Sequence, residues 1–286
     1  MTLLIPVFES ATYVGDAINA ALSQTYGHIE IIIAPDDGDT YSQLRERFTT
    51  PQLRIIPPGV TRKTGAGPTR NRAINASTGE YFAMLDADDL IPPTYIEDLM
   101  KVALIEGAAI APTRYTRWDV SEVVRVLPMH KAHLSLSGFA QLLASMHPLI
   151  HRSLETGYCA GFAEDVLHDG IAIARLGTIR VVDSVWYSGR VRTGSECNNG
   201  SNVEREIQAA YRYRIEQVLQ RPTELGMQML NREDRKDFVD LFRFRAFVST
   251  AFSKSGAECY NTWVAGKEAA LWDQFSIAKR QAVLLS

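Results

Sequence analysis

In the first third of the chain, apolar residues come in short unbroken runs, each closed by proline or a charged turn. LLIPVF (3–8), IEIIIA (29–34), LRIIP (53–57) and EYFAML (80–85) read as strands buried on both faces. Between the first two, Val14, Ala17, Ile18, Ala21 and Leu22 recur at helical spacing within 12–24. A second helix is predicted from about Pro68 to Ala76, with proline tolerated in its first turn, and a third over PPTYIEDLMKVALIE from Pro92. Buried strands alternating with helices predict a mostly parallel sheet covered on both faces, with ligands outside the carboxyl ends of its strands.

Polar clusters sit at those ends. PVFE follows the first strand, PDDGD the second, PPGVTRKTGAGPTRNR the third and DADD the fourth, so four polar loops are expected on one rim. Beyond residue 110 the pattern loosens. It predicts a strand near 122–127, a helix around 137–145, strands near 179–187, and helices from about Asn202 with a break at RPTELG.

Composition narrows the function. With 286 residues, 46% of them hydrophobic, the chain can bury one large core or a core plus a smaller appendage. A formal net charge of −3 gives no overall basic surface, which argues against nucleic acid as a partner. Cys159, Cys197 and Cys259 are widely spaced and form no C-x-x-C pair, arguing against a disulfide framework and a structural zinc site. MTLLIPVF reads as strand from its second residue, leaving no room for a signal sequence, and no apolar run reaches membrane-spanning length. The expected location is the cytoplasm, with peripheral contact on the inner membrane face left open.

The strand-end carboxylates Asp86 and Asp88, in D-x-D spacing, suit a hard divalent cation such as Mg²⁺ or Mn²⁺. Capping the proline-started helix is the competing explanation for such acids, and Asp89, nearest that helix, fits it best. The loop TRKTGAGPTRNR carries Arg62, Lys63, Arg70 and Arg72 with no acid, and two glycines at a helix start. Amides and guanidinium forks there suit a diphosphate, although a solvated basic loop is the plainer reading.

In order and spacing, LLIPVFESATYVGDAINAALSQTYGHIEIIIAPDDGD followed by GPTRNRAINASTGEYFAMLDADD resembles the nucleotide-binding half of the family 2 glycosyltransferases, which have the GT-A fold. The match covers about the first 105 residues. It implies an α/β, Rossmann-like fold with a mostly parallel central sheet, helices on both faces and a C-terminal helical region. Residues 1–200 would form the GT-A unit, with 1–105 binding the nucleotide sugar and 106–200 supplying the acceptor site and base. Residues 201–286 would be a helical appendage. The resemblance places Pro6 and Glu9 beside the nucleoside, Asp37 as acceptor of a hydrogen bond from the base, and Arg70 facing base and diphosphate. Asp86 would contact ribose or metal, and Asp88 the metal. Glu9 departs from the family's usual Asn, and PDDGD from its D-D-G-S.

SLETGYCAGFAEDVLHDGIAIARLG resembles the stretch that carries the family's general base, which makes Asp165 the candidate base and Glu164 its neighbour. Plain capping of the following helix, 166–175, is the alternative. An inverting transfer needs one carboxylate to take the acceptor hydroxyl's proton as that oxygen attacks the anomeric carbon. Many relatives carry a further metal-ligating histidine; in YSGRVRTGSECNN, Arg192 stands in its place. Arginine cannot ligate a metal but pairs with a diphosphate, so dependence on Mn²⁺ or Mg²⁺ is an open expectation. His147 and His151 could line an acceptor pocket, or be plain core or surface groups. The stripe Phe238, Phe242, Phe244 and Phe247 suits core or oligomer packing.

The expected activity is therefore an inverting, hexosyltransferase-like transfer from a nucleotide-diphosphate sugar, a UDP-sugar first, to a saccharide or other hydroxyl acceptor, of the kind used in polysaccharide biosynthesis. Self-association through the C-terminal helices is a further option. Two competitors stand beside it. A sugar-nucleotide pyrophosphorylase normally has its glycine-rich loop after the first strand, whereas GAGPTR follows the third. A catalytically silent nucleotide-sugar binder is suggested by Arg192 and Glu9.

Overall fold

A computed structural model of the chain describes residues 1–59, 63–127, 132–191, 200–220 and 224–284. The predicted strands form as β1 (Thr2–Val7), β2 (Glu30–Pro35), β3 (Leu53–Ile55) and β4 (Tyr81–Met84). They pair in parallel in the order β3-β2-β1-β4. Their neighbours are β5 (Ala108–Ile110), β8 (His133–Ser135), β9 (Leu149–His151) and β10 (Thr178–Val181). The full sheet runs β3-β2-β1-β4-β9-β5-β10-β8, with β9 antiparallel to both its neighbours and β8 antiparallel to β10. A second sheet, β11-β6-β7, is built from β6 (Thr113–Arg117), β7 (Glu122–Val126) and β11 (Tyr187–Arg190). It is stitched to the acidic turn by a two-way backbone bridge between Leu90 and Ser188.

Strand alternation divides the core in two. Leu3, Ile5, Ile31, Ile33, Ala83 and Leu85 point to one face, covered by α1 (Val14–Leu22) and α4 (Tyr95–Glu106). Leu4, Ile32, Ala34, Phe82 and Met84 point to the other, covered by α3 (Ala66–Ala76), α5 (Leu136–Gln141) and α6 (Glu164–Leu176). The six-residue α2 (Ser42–Arg47) lies between β2 and β3 in the chain.

The helices beyond residue 200 are α7 (Gly200–Gln220), α8 (Arg232–Ser255), α9 (Tyr260–Val264) and α10 (Glu268–Leu284). An Asn231–Asp234 capping box starts α8. Tyr211, Val218, Phe238, Leu241 and Phe242 belong to the same apolar core as Leu4 and Phe82, so α7 and α8 finish the second face of the sheet. Phe244, Val248, Val264, Leu271 and Phe275 make a smaller cluster of their own. Gly170 on α6 admits this packing, because a Cβ there would stand 2.6 Å from the Phe238 ring. The phenylalanine stripe is thus core. Among the described residues, no helix is long and apolar enough to cross a membrane.

Candidate active site

The carboxyl ends of β1, β2 and β4 do converge, and their polar loops are already paired with one another. Asp36, which sequence reasoning passed over, is buried and accepts from the Thr64 hydroxyl and from the Gly65 amide at 2.9 Å, with Arg72 Nη1 at 3.7 Å. It lies on the same strand face as Ile32 and Ala34, where α3 packs, and that alternation is the signal that could have found it. Its neighbour Asp37 turns toward the rim and accepts from the Glu9 amide at 3.0 Å, the Asp39 amide at 3.0 Å and the Tyr41 hydroxyl at 2.6 Å. Burial opposes its ionisation, but these donors, Tyr41 foremost, hold its carboxyl below the usual value. Pro6 is half-buried within β1, level with Ala34 of β2.

The described basic residues of the loop are engaged within the protein. Lys63 pairs with Glu9 at 3.2 Å, both exposed and both in left-handed backbone conformation. Arg72 donates to the carbonyl of Pro35 at 2.7 Å, turned toward β2. Arg70, only 5% exposed, reaches Asp86 at 3.1 Å with one nitrogen and pairs with Glu164 through the other. Arg62 and Arg192 lie outside the described residues.

Asp86 therefore faces Arg70, while His147 Nε2 approaches its other oxygen at 3.8 Å. His147 stacks on Tyr187, whose hydroxyl accepts from the Asp86 amide at 3.0 Å. Asp89 is not a helix cap. It is buried and accepts from the Arg190 amide at 2.8 Å, while Thr94 is the N-cap of α4 and makes no side-chain cap bond. Burial first, then the charges of Asp86 and Asp88, push the Asp89 carboxyl well above its ordinary value. The Arg190 side chain, between the Tyr13 and Trp118 rings, donates to the Asp88 carbonyl at 2.8 Å and so fixes the turn. Ligand atoms of Asp86, Asp89 and His147 lie within 4.8 Å of one another. This oxygen-rich set with one imidazole suits a borderline-hard ion such as Mn²⁺, and its crowded carboxylates are the environment a divalent cation relieves. His151 pairs with Tyr81 at the opposite end of β4 and takes no part.

Glu164 and Asp165 open α6 behind a left-handed Ala163. Burial, then the adjacent Asp165, raises the Glu164 carboxyl, against the pull of Arg70. Asp165 goes the other way. Burial opposes its ionisation, but Arg70, the Ser145 hydroxyl and the Val166 amide at 2.7 Å hold it below the ordinary aspartate range. Tyr158 lies 5.5 Å from the Arg70 guanidinium. Its backbone is clamped on both sides by Asn71 at 2.7 Å, and its ring stacks on His168 at 3.9 Å. Asn71 lies in the GPTRNR stretch that carries the resemblance, but its pairing with Tyr158 had no sequence signal, because it spans 87 positions.

The chain matches the family described as "Glycosyl transferase family 2" over residues 2–170, more than half its length. It belongs to that family. Among curated relatives of this family 2 glycosyltransferase, glycosyltransferase GlyG of Streptococcus pneumoniae is 27% identical over 124 residues, covering 43% of this chain and 41% of GlyG. The succinoglycan biosynthesis protein ExoO of Rhizobium meliloti is 30% identical over 112 residues, covering 39% and 32%. The chain thus spans less than half the length of these relatives. Among solved structures, S. aureus TarS 1–349 in complex with UDP-GlcNAc superposes with a TM-score of 0.63 at 16% identity, over 96% of this chain and 78% of TarS. Mannosyltransferase PcManGT from Pyrobaculum calidifontis, in complex with GDP-Man and Mn²⁺, gives 0.56 at 16%, over 100% and 80%. The fold is GT-A, with the helical C-terminal region packed on it.

Proposed function

We propose that the protein transfers a sugar from a nucleotide-diphosphate donor to an acceptor hydroxyl with inversion, Asp165 serving as general base. The observation that carries this reading is Arg70, which draws the acidic turn after β4 and the Glu164–Asp165 pair of α6 to one place at the rim of the sheet. Asp37, ionised and with acceptor capacity beyond its three internal donors, suits the N–H of a base. Pro6 and Glu9 border that position. TarS with UDP-GlcNAc and PcManGT with GDP-Man support a nucleotide sugar as donor, and a UDP-sugar is the first to try.

In the reaction, the acceptor oxygen bonds to the anomeric carbon as the bond from that carbon to the diphosphate breaks on the opposite face, and the hydroxyl proton passes to Asp165. Asp165 is held ionised and so is ready to accept it. Its low basicity means that the proton moves late, as the attacking oxygen becomes acidic. Asp86 and Asp88 would hold a Mn²⁺ or Mg²⁺, because Asp89 is buried and already accepts from the Arg190 amide. Such an ion, when bound, neutralises the charge that builds on the leaving diphosphate. Lys63, exposed at the rim, adds a cation once Glu9 releases it.

A thermal-shift screen of UDP-, GDP- and dTDP-sugars with and without Mn²⁺, read beside donor hydrolysis, tests the proposal. The expected result is stabilisation by one donor class, slow hydrolysis by the wild type, and Asp165→Asn retaining the shift while losing turnover. Near-normal turnover by Asp165→Asn removes it as base. A donor-induced shift with no turnover by the wild type identifies a silent binder.

A further inference from the structure

We propose that Arg214 and Arg245, on the helices beyond residue 200, are positioning residues that hold the two loops flanking Asp165. The inference rests on the reading of Asp165 as base. Both loops contain a non-glycine residue in the left-handed region, Ala163 (φ 62°) in one and Leu143 (φ 50°) in the other, and such turns persist only where their surroundings hold them.

The first loop, 160–163, launches α6. Arg214 of α7, 1% exposed, donates through Nη2 to the carbonyls of Ala160 at 2.7 Å and Phe162 at 3.0 Å, and through Nε to Phe162 at 3.2 Å. Its remaining nitrogen donates to Gln217 at 2.8 Å, which sets the plane of the fork. Two residues after the gripped Phe162 carbonyl come Glu164 and then Asp165. Reorienting this turn therefore reorients the start of α6 and the base with it.

The second loop, 142–147, presents three consecutive carbonyls to buried guanidinium groups. Arg125 of β7 takes Leu142 at 2.7 Å and Leu143 at 3.3 Å, and Arg245 of α8 takes Ala144 at 2.7 Å. Arg125 is in turn held by Asn261 of α9 at 3.0 Å and Glu268 of α10 at 2.9 Å. The next residue, Ser145, is among the groups that hold the Asp165 carboxyl low, and His147 stands against Asp86. Arg214 of α7 and Arg245 of α8 directly, and Asn261 of α9 and Glu268 of α10 through Arg125, thus hold the backbone carbonyls on both sides of the reacting centre. A guanidinium is suited to this, because it donates to several carbonyls in one plane and stays charged.

The test measures kcat, donor KM and melting temperature for Arg214→Met, Arg214→Lys and Arg245→Met, beside wild type and Asp165→Asn. A displacement of about 1 Å at a reacting group costs roughly a hundredfold in rate. The expected result is a fall in kcat per folded molecule of about tenfold or more for the Met variants, partial rescue in Arg214→Lys, and donor KM within about twofold of wild type. A lower melting temperature with kcat per folded molecule unchanged overturns the proposal, as does a loss confined to KM. Should the Arg214 variants fail to fold, Gln217→Leu decides, since it keeps the arginine and removes only the group that orients it; unchanged kcat there overturns the proposal. Activity persisting in Asp165→Asn defeats the base assignment instead, leaving the kcat against KM split to judge the arginines.

Discussion

Arg70 and Glu164, 94 positions apart, are paired guanidinium to carboxylate beneath the acidic turn, both almost wholly buried. Removing the cation leaves Glu164 without its countercharge, and breaking a buried pair from one side costs about 3–5 kcal/mol. Arg70→Met is expected to lose stability of that order in urea unfolding. Arg70→Lys should lose less, because a single ammonium reaches one carboxylate and not both Asp86 and Glu164.

His168 is a buried imidazole between two carboxylates, Glu155 at 3.1 Å from Nε2 and Asp169 at 3.2 Å from Nδ1. Both ring nitrogens face acceptors, so the protonated form satisfies both. Burial opposes that charge, but the hydrogen bonds and charges of Asp169 and Glu155 raise the imidazole to about 9. Asp169 itself is raised by burial, while Glu155 is lowered by the same imidazolium. With a folded value above the unfolded one, the stabilisation is complete below about pH 6.5 and is lost as pH rises toward 9, on the order of 3 kcal/mol. Melting temperature should fall across that window in the wild type, and His168→Gln should flatten the fall.

At Gly67 on α3, an added Cβ would lie 2.0 Å from the Cys159 carbonyl oxygen, so backbone meets backbone where α3 approaches the loop ahead of α6. Gly67→Ala is expected to cost about 3 kcal/mol, the upper end for overpacking, read by denaturant unfolding. Gly170→Ala instead meets the Phe238 ring at 2.6 Å, a side chain that can be trimmed. Its cost, about 2 kcal/mol, should shrink in a Phe238→Leu background, a coupling that a double-mutant cycle measures.

The cation site separates by substitution. Asp86→Asn and Asp88→Asn should both weaken Mn²⁺ binding in calorimetry with a nucleoside diphosphate present, Asp86→Asn by about tenfold or more. His147→Gln should have the smaller effect if the ion sits toward Asp88. A larger effect of His147→Gln than of Asp88→Asn would place the ion among Asp86, Asp89 and His147, whose ligand atoms already lie within 4.8 Å of one another.

Much of the fold was legible in the chain because it is written in local patterns. The runs at 3–8, 29–34 and 80–85 became β1, β2 and β4, and the helical spacing within 12–24 became α1, trimmed to Val14–Leu22. The irregular region after residue 110 was harder, because its strands are short and β9 inserts antiparallel between β4 and β5. No periodicity announces such an insertion. At the site, the residues were legible and their partners were not. Arg70 is legible as a cation of the basic loop, whereas its two carboxylate partners, 16 and 94 positions away, are not. Asp89 suited a helix cap by position, yet it takes an amide 101 residues away.

By itself the sequence determined β1 to β4 and α1, α3 and α4 of the first 106 residues, which loops carry charge, and the kinship to family 2, because each of these resides in neighbouring residues and their order. Only the tertiary structure decided that Asp36 is buried while Asp37 turns to the rim, that His147 joins Asp86 while His151 does not, and that α7 and α8 complete the core. These outcomes depend on strand order and on where distant loops return. Alternation along a strand sets the direction of a side chain, and only the packed neighbours set what it meets.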